Sequence, residues 1–571
     1  MHAKKTRLAL ACACLLAASA AVHAVDLGPN VLVFDPGQGN AAIQARLDQV
    51  FATQESNQFG TQRYALMFKP GSYAVNANVG FYTSVSGLGK NVGDVTVQGV
   101  TADAGWFGGN ATQNFWRSVE NLTIAPPGGA NRWAVAQAAP MRRVNVIGDL
   151  NLAPTGYGGA SGGSIADSKV SGTVQPYSQQ QWYTRDSQIG GWLNGVWNMV
   201  FSGVVGAPAQ GFPNPVYTTL AQTPVSREKP YLYVDAAGEY QVFVPSLRHN
   251  AQGTSWASGS TPGSSIPLTQ FAVLMPGDSA AKINKALKSG QHLLFTPGVY
   301  HVSKTINVTH ADTVVLGLGY ATIVPDGGVG AMKVADVDGV KIAGLLFDAG
   351  TQTSKFLLQV GPAKAGASHA TDPTSVQDVF FRIGGATAGS ATTSLVVNSH
   401  DAIVDHIWAW RADHGNAGSY GWTVNTAKQG LVVNGDNVTG LGLFVEHFQK
   451  YDVTWNGNGG KTIFFQNEMP YDPPSQSAWR AGANGYAAYK VGDKVSSHEA
   501  WGLGSYCFFN VDPTIHADRG FEVPDVAGVK MHDLSTVSLG GNGVIDHVVN
   551  TTGAAAQGTA TVPVTVTNYG Q

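Results

Sequence analysis

Charge is what this sequence has least of. Asp, Glu, Lys and Arg make up 12% of its 571 residues, against about 25% in ordinary globular proteins, and the formal net charge is -3. Nucleic acid and anionic lipid surfaces both want clustered Lys and Arg, so neither is an expected partner. A surface that is polar without being ionic suits a neutral sugar polymer better. Cysteine is almost as scarce, with Cys12, Cys14 and Cys507 alone. Long apolar runs are missing too: the one candidate, Leu8 to Ala21, is shorter than the ~20 residues that a membrane span needs. It follows Lys4, Lys5 and Arg7 and ends at Val22-His23-Ala24, the pattern of a secretory signal peptide over residues 1–24. Cleavage near Ala24 is expected to leave a secreted protein, extracellular or periplasmic, in which 37 Asp and Glu further outnumber the cations. Its single thiol, Cys507, lies in an aromatic strand context (Tyr506, Phe508, Phe509) and reads as a buried core residue. A disulfide framework is thereby excluded.

What is abundant is glycine, at 71 residues, among short runs such as Thr313–Leu316, Ala331–Val334, Val340–Ile342 and Gly344–Phe347. Strands of three to five residues with tight corners and almost no helical periodicity predict an all-β fold of the parallel β-helix type, with a β-sandwich or propeller as the alternative. A long-range repeat divides the chain. Ala65–Tyr73 (ALMFKPGSY) is echoed by Leu293–Tyr300 (LLFTPGVY), and Gly87-Leu88-Gly89 by Gly317-Leu318-Gly319. Upstream of each copy lies a short amphipathic helix pattern, Ala41–Val50 and Ala280–Leu287, suited to capping the open end of a β-coil stack. The expected organisation is an N-terminal domain over 25–248, a Ser/Gly/Thr-rich linker over 249–267, and a C-terminal domain over 268–571. Just before the linker, Tyr231–Val234 and Tyr240–Phe243 around Asp235–Gly238 predict a hairpin.

With acidic residues so few, a carboxylate inside an aromatic strand is informative. Glu446 sits in LFVEHF and Glu468 in IFFQNEMPY, and the 22 residues from 446 to 468 are close to one coil. Strands in consecutive coils lie about 4.8 Å apart, so the two side chains are expected on one face. Apolar neighbours keep a carboxyl protonated, which favours Glu468, beside Phe464, Phe465, Pro470 and Tyr471, as a general acid. Trp408, Trp410 and Trp422, with Asp413 and His414, supply rings for sugar faces and a carboxylate for sugar hydroxyls. Asp405-His406 and Asp413-His414 come without HExxH or Cys/His spacing, so neither a metal nor another cofactor is expected. His498-Glu499 reads as a polar corner between strands.

At these residues the sequence resembles glycoside hydrolase family 55, the tandem β-helix β-1,3-glucanases (laminarinases), over essentially the whole mature chain. Long stretches carry the likeness: Gln54–Gly60, Asn110–Ser118, Pro176–Asp186 and Val445–Phe448. The resemblance implies two tandem right-handed parallel β-helix (pectin-lyase-like) domains. It further implies inverting hydrolysis of β-1,3-glucan, releasing glucose from the non-reducing end. By the same likeness Glu468 is the general acid, and Glu446 positions the nucleophilic water or acts as its base. Gln137 and Ser161 share that water, Trp410 stacks on sugar, and Tyr471 contacts sugar beside the acid. One-coil stacking alone leaves the stereochemistry open, because inverting pairs stand ~6.5–9.5 Å apart and retaining pairs ~5–5.5 Å. Two other readings share the scaffold: a polysaccharide lyase, which needs an acidic substrate and usually Ca²⁺ on an Asp cluster, and a non-catalytic glucan binder or adhesin. A monomer acting on β-1,3-glucan is the expected state.

Overall fold

The computed structural model describes residues 25–480 and 482–570; the signal peptide expected over 1–24 lies outside the described residues. The chain forms two stacks of short strands, almost all parallel, each opening with a helix where the sequence places one. These helices span Asn40–Gln54 and Ala280–Lys288. The first buries Ile43, Leu47 and Val50 and the second Ala280, Ile283, Ala286 and Leu287, so each lays one apolar stripe over its stack. Above the second cap, inward residues stack in a column: Leu293 beside Val315, then Ile342, Val376 and Val404. All five are fully or almost fully buried, and burying each aliphatic side chain contributes roughly 1.5–3 kcal/mol. This is the parallel β-helix read from the short strands. Among the described residues no helix is long and apolar enough to cross a membrane.

The predicted hairpin is present, with Tyr231–Val234 antiparallel to Tyr240–Pro245. The segment expected as a linker is partly strand. Leu247–Ala251 pairs with Thr223–Arg227 and Gly263–Pro267 pairs with the hairpin. Ser, Gly and Thr also suit edge strands with one face in water, so composition did not separate the two cases.

One residue in each successive coil of the second stack adopts a left-handed backbone: Asp378, His406, Gly442, Phe464, Gly502 and Asp533, with φ between 50° and 71°. They lie side by side, because the residues flanking them are register partners. Each coil therefore bends at the same point, and all six bends touch the first stack. The Gly442 and Gly502 positions require glycine twice over, since a Cβ would approach Tyr183 to 2.9 Å and Val200 to 2.5 Å, besides straining the left-handed backbone. Phe464 stacks on Tyr183 at 5.5 Å.

The polar part of this seam is a buried ion cluster. Arg142 clasps Asp378 through two nitrogens (3.0 and 2.8 Å) and reaches Glu228 and Asp405 at 3.1 Å each. Arg185 bonds Asp186, Glu228 and Asp405 at 2.7–3.0 Å. Burial opposes ionisation of Asp378, but the Arg142 guanidinium, followed by His406, outweighs it and holds the carboxyl well below the usual carboxylate range. For Glu228 burial also opposes, and Arg185 first among the cations brings it down to about 2.

Replacing Arg142 by Met leaves Asp378 to His406 alone, and Asp405 and Glu228 to Arg185. Breaking a buried pair in this way costs about 3–5 kcal/mol, so Arg142→Met is expected to lower the urea midpoint strongly at pH 7. Because the lowered carboxyls add stability only while they are ionised, the gap between variant and wild type is expected to narrow as pH falls below the ordinary carboxylate range. A gap that stays constant to low pH contradicts this origin.

Candidate active site

Three neighbouring strands of the second stack, Ile403–Arg411, Thr439–Glu446 and Gly460–Glu468, carry Trp410, Glu446 and Glu468 at their ends, and a fourth, His498–Cys507, flanks the last. Trp410 is the register partner of Glu446, and Glu468 of Tyr506. Phe444 pairs with Gln466, so the middle strands are offset by the same 22 residues that separate Glu446 from Glu468. The one-coil spacing read from the sequence therefore holds.

Glu446 is 2% exposed, and each of its oxygens accepts an N–H. Gln137 Nε2, from the first stack, donates to Oε1 at 3.1 Å, and Trp408 Nε1, from the preceding coil, donates to Oε2 at 2.7 Å. Ser161 Oγ donates to Gln137 Oε1 at 3.3 Å, and the Ser161 carbonyl accepts from Gln466 Nε2 at 2.7 Å. Gln137 has φ 35°, a sparsely populated backbone for a non-glycine residue and of the kind that functional sites hold. It is pinned from both sides: its N–H donates to the Gly162 carbonyl at 3.0 Å, and its carbonyl accepts from His406 Nε2 at 2.9 Å. His406 Nδ1 lies 2.9 Å from Asp378, so the ion cluster continues through His406 into the site.

Glu468 is the more open carboxylate, its side chain 15% exposed. Tyr471 Oη donates to Oε2, and among the described residues no group donates to Oε1. Asp413 stands nearby and accepts from Trp410 Nε1 at 3.2 Å, with His414 Nδ1 at 3.0 Å. Gln137, Ser161, Glu446, Glu468, Tyr471 and Asp413 thus form one cluster, four residues from the second stack and two from the first. Trp410 differs from expectation. At 1% exposure it has no face free for a sugar, being packed against Trp408, Phe59, Phe115 and Trp116. Trp422 lies over the Arg411 guanidinium. His498 points into the core against Trp455 and Tyr489, away from the cluster.

Burial and then the Glu468 charge push Glu446 above the usual carboxylate range, against the two N–H donors. Burial also raises Glu468, with His447 and the Tyr471 hydroxyl opposing. Two such neighbours do not both ionise readily, and their hydrogen-bond partners differ. Each Glu446 oxygen accepts an N–H, which favours its charged form, whereas Glu468 Oε1 accepts none from the described residues. Asp413 is held well below the ordinary range: burial opposes, but the His414 hydrogen bond and the His447 and His414 charges win. The site can therefore present a carboxylic acid, a carboxylate with an amide and a hydroxyl beside it, and a second fixed negative charge. Among the described residues no group of three or more His, Cys, Asp and Glu is arranged to hold a metal. Cys507 is buried, its thiol pushed up to about 12 mainly by that burial.

Several contributors escaped the sequence reading. In the sequence Trp408 stands out as a ring, and in the fold it acts as an N–H donor. Asp405-His406 looks in the sequence like a metal motif, yet both side chains join the stacks. Gln58 meets His414 at 2.6 Å. The long stretches that carried the family likeness supply Gln58, Phe59, Phe115, Trp116, Gln181 and Arg185 to the seam, so their specificity had a location that the linear sequence did not reveal.

The LAM55 pectate lyase-like domain model matches residues 271–468, ending at Glu468. An exo-beta-1,3-glucanase of Streptomyces sp. (strain SirexAA-E / ActE) is 62% identical over 556 residues, covering 97% of this chain and 91% of that protein. The structure of sacteLam55A from Streptomyces sp. SirexAA-E superposes with a TM-score of 0.94 at 62% identity, over 95% of this chain and 99% of that one. A glutamate-to-alanine variant of sacteLam55A in complex with glucose superposes equally well, with 98% of its chain covered. Identity at this level along nearly the whole of both chains, on the same paired stacks, makes the protein a member of glycoside hydrolase family 55, the Lam55 family.

Proposed function

We propose that the protein is an exo-acting β-1,3-glucan hydrolase that inverts the anomeric centre, with Glu468 as general acid and Glu446, Gln137 and Ser161 holding the attacking water. The observation that carries the reading is the unequal treatment of the two carboxylates. Glu446 takes an N–H on each oxygen, one of them from the other stack, while Glu468 keeps Oε1 open. The relatives support the substrate: one is named an exo-beta-1,3-glucanase and another holds glucose.

In this mechanism Glu468 Oε1–H protonates the glycosidic oxygen as the C–O bond breaks. Water, held by the Gln137 amide and the Ser161 hydroxyl, attacks the opposite face and passes its proton toward Glu446, the one strong acceptor beside it. Asp413, kept charged by its histidines, accepts sugar hydroxyls, and Tyr471 adds a contact beside the acid. The protein is proposed to act as an exported monomer after loss of residues 1–24. Mass analysis of protein from the culture medium is expected to give a chain starting at Val25, and a retained leader speaks against export by this route.

Glu468→Gln is expected to reduce sugar release from laminarin by about 10²–10⁴-fold, as for loss of a general acid, while glucan binding persists. Hydrolysis at wild-type rates in that variant removes Glu468 from the role. NMR of the first-formed sugar is expected to show the α-anomer; an initial β-anomer means retention. Abolition of activity by a chelator would favour a metal-dependent lyase.

Trp408→Phe keeps a ring but removes the donor to Glu446 Oε2. Losing a hydrogen bond to the charged form disfavours that form, so Glu446 titrates higher. The acid limb of the pH–rate profile, where Glu446 must be ionised, is expected to move to higher pH. An unmoved limb shows that it belongs to another group.

A further inference from the structure

The residue after Glu446 enters the mechanism above only as a neighbour of Asp413, yet it is built into the site as firmly as any. His447 is 2% exposed and left-handed, with φ 68°, a conformation that turns it out of the strand. Its N–H donates to the Glu468 carbonyl at 2.8 Å. Its ring packs edge-on against Tyr471 at 4.4 Å, and Nδ1 lies 3.1 Å from the Met469 carbonyl, to which it donates. One ring nitrogen is thereby committed, and the other, Nε2, stands between two carboxylates, 3.6 Å from Glu468 Oε2 and 3.7 Å from Asp413 Oδ1. These distances are just beyond a direct hydrogen bond, and contacts of this kind in free enzymes often close only in the complex. The neighbouring Arg411 is spent on Asp472, with two contacts of 2.9 Å, and touches His447 only at its carbonyl.

We propose that His447, as the imidazolium with Nδ1–H on the Met469 carbonyl, is a positioning residue for the general acid, holding Glu468 and Tyr471 in place and turning Nε2–H toward the charge that Glu468 acquires when it gives up its proton. The inference rests on Glu468 being the acid. In the step concerned the Glu468 O–H bond breaks and its proton joins the glycosidic oxygen. The electron pair of the broken C–O bond stays with the departing sugar, and the O–H pair stays on Glu468 as a new carboxylate. That charge appears beside Asp413 and Glu446, both unfavourable neighbours. The Tyr471 hydroxyl already donates to that carboxylate, and His447 Nε2, facing Glu468 and Asp413 together, is turned toward it as well.

The step matters only when the leaving group needs a proton, and this separates the role from general support of the fold. His447→Asn tolerates the left-handed backbone and keeps an amide near the Met469 carbonyl, but is too short to reach Glu468. It is expected to lose roughly 10- to 100-fold in kcat/KM on laminarin, the range for a hydrogen bond to a charged group. On 2,4-dinitrophenyl β-glucoside, whose phenolate leaves without a proton, it is expected to lose less than about threefold. His447→Gln, long enough to restore a donor at the Nε2 position, is expected to recover most of the laminarin rate. Equal losses on both substrates, no loss on laminarin, or a Gln variant as impaired as the Asn variant would each overturn the proposal. Glu468→Gln run alongside distinguishes the two failures: if it keeps full laminarin activity, the acid assignment falls first, whatever His447 does.

Discussion

The grip of Arg142 on Asp378 is the contact on which the rest of the structure depends. Gln137 and Glu446 lie 309 residues apart in sequence and on different stacks, and nothing within either stack fixes their separation. An apolar seam alone could slide, because hydrophobic contact has no direction. A guanidinium clasped by two nitrogens fixes both distance and orientation. From Arg142 the chain of contacts runs through Asp378 and His406 to the Gln137 carbonyl, and from the Gln137 amide to Glu446. Buried ion pairs are weak evidence of stability, since desolvation offsets much of the attraction. Here their role is alignment.

The same seam divides the labour between two carboxyl groups of identical chemistry in near-identical strand positions. Glu446 and Glu468 are one coil apart and both buried, and burial raises both. Their difference comes from outside their own strands: the first stack lends Glu446 an amide, the preceding coil lends it an indole, and Glu468 receives a phenol on one oxygen only. In the proposed mechanism acid and base are thus assigned by neighbours, in the way that paired titratable groups are generally separated.

Much of this was legible in the sequence, for physical reasons. Helical caps announce themselves by a 3.6-residue stripe, and a β-coil by short strands and glycine. A 22-residue separation between two carboxylates in aromatic strands translates directly into adjacent rungs. Contacts that depend on the path of the chain between the rungs were not legible. Trp410 reads as a sugar platform, but the rings that cover it, Phe59 and Phe115, come from the other stack. Asp405-His406 has the look of a metal motif until Arg142, Arg185 and Gln137 are placed opposite it. The left-handed column carries a faint signal, since Asp, His and Gly are the residues that tolerate such a backbone; Phe464, in the same column, carries none. The segment 249–267 shows the limit of composition, which does not tell a linker from an edge strand.

Coil length in the second stack is far from constant. Gly440 pairs with Thr462, yet Thr462 pairs with Ala500 and Ala500 with Met531, so the rungs at the site are kept in line while the excursions between them stretch and shrink. Loop closure grows costlier only slowly with length. Descendants of this chain can therefore gain or lose whole excursions, and with them the surroundings of the site, without disturbing the alignment of Glu446 and Glu468. A single residue inserted within one of the aligned strands would instead send a catalytic side chain to the opposite face. Variation in what the enzyme accepts and constancy in what it does are thereby assigned to different parts of the same coil.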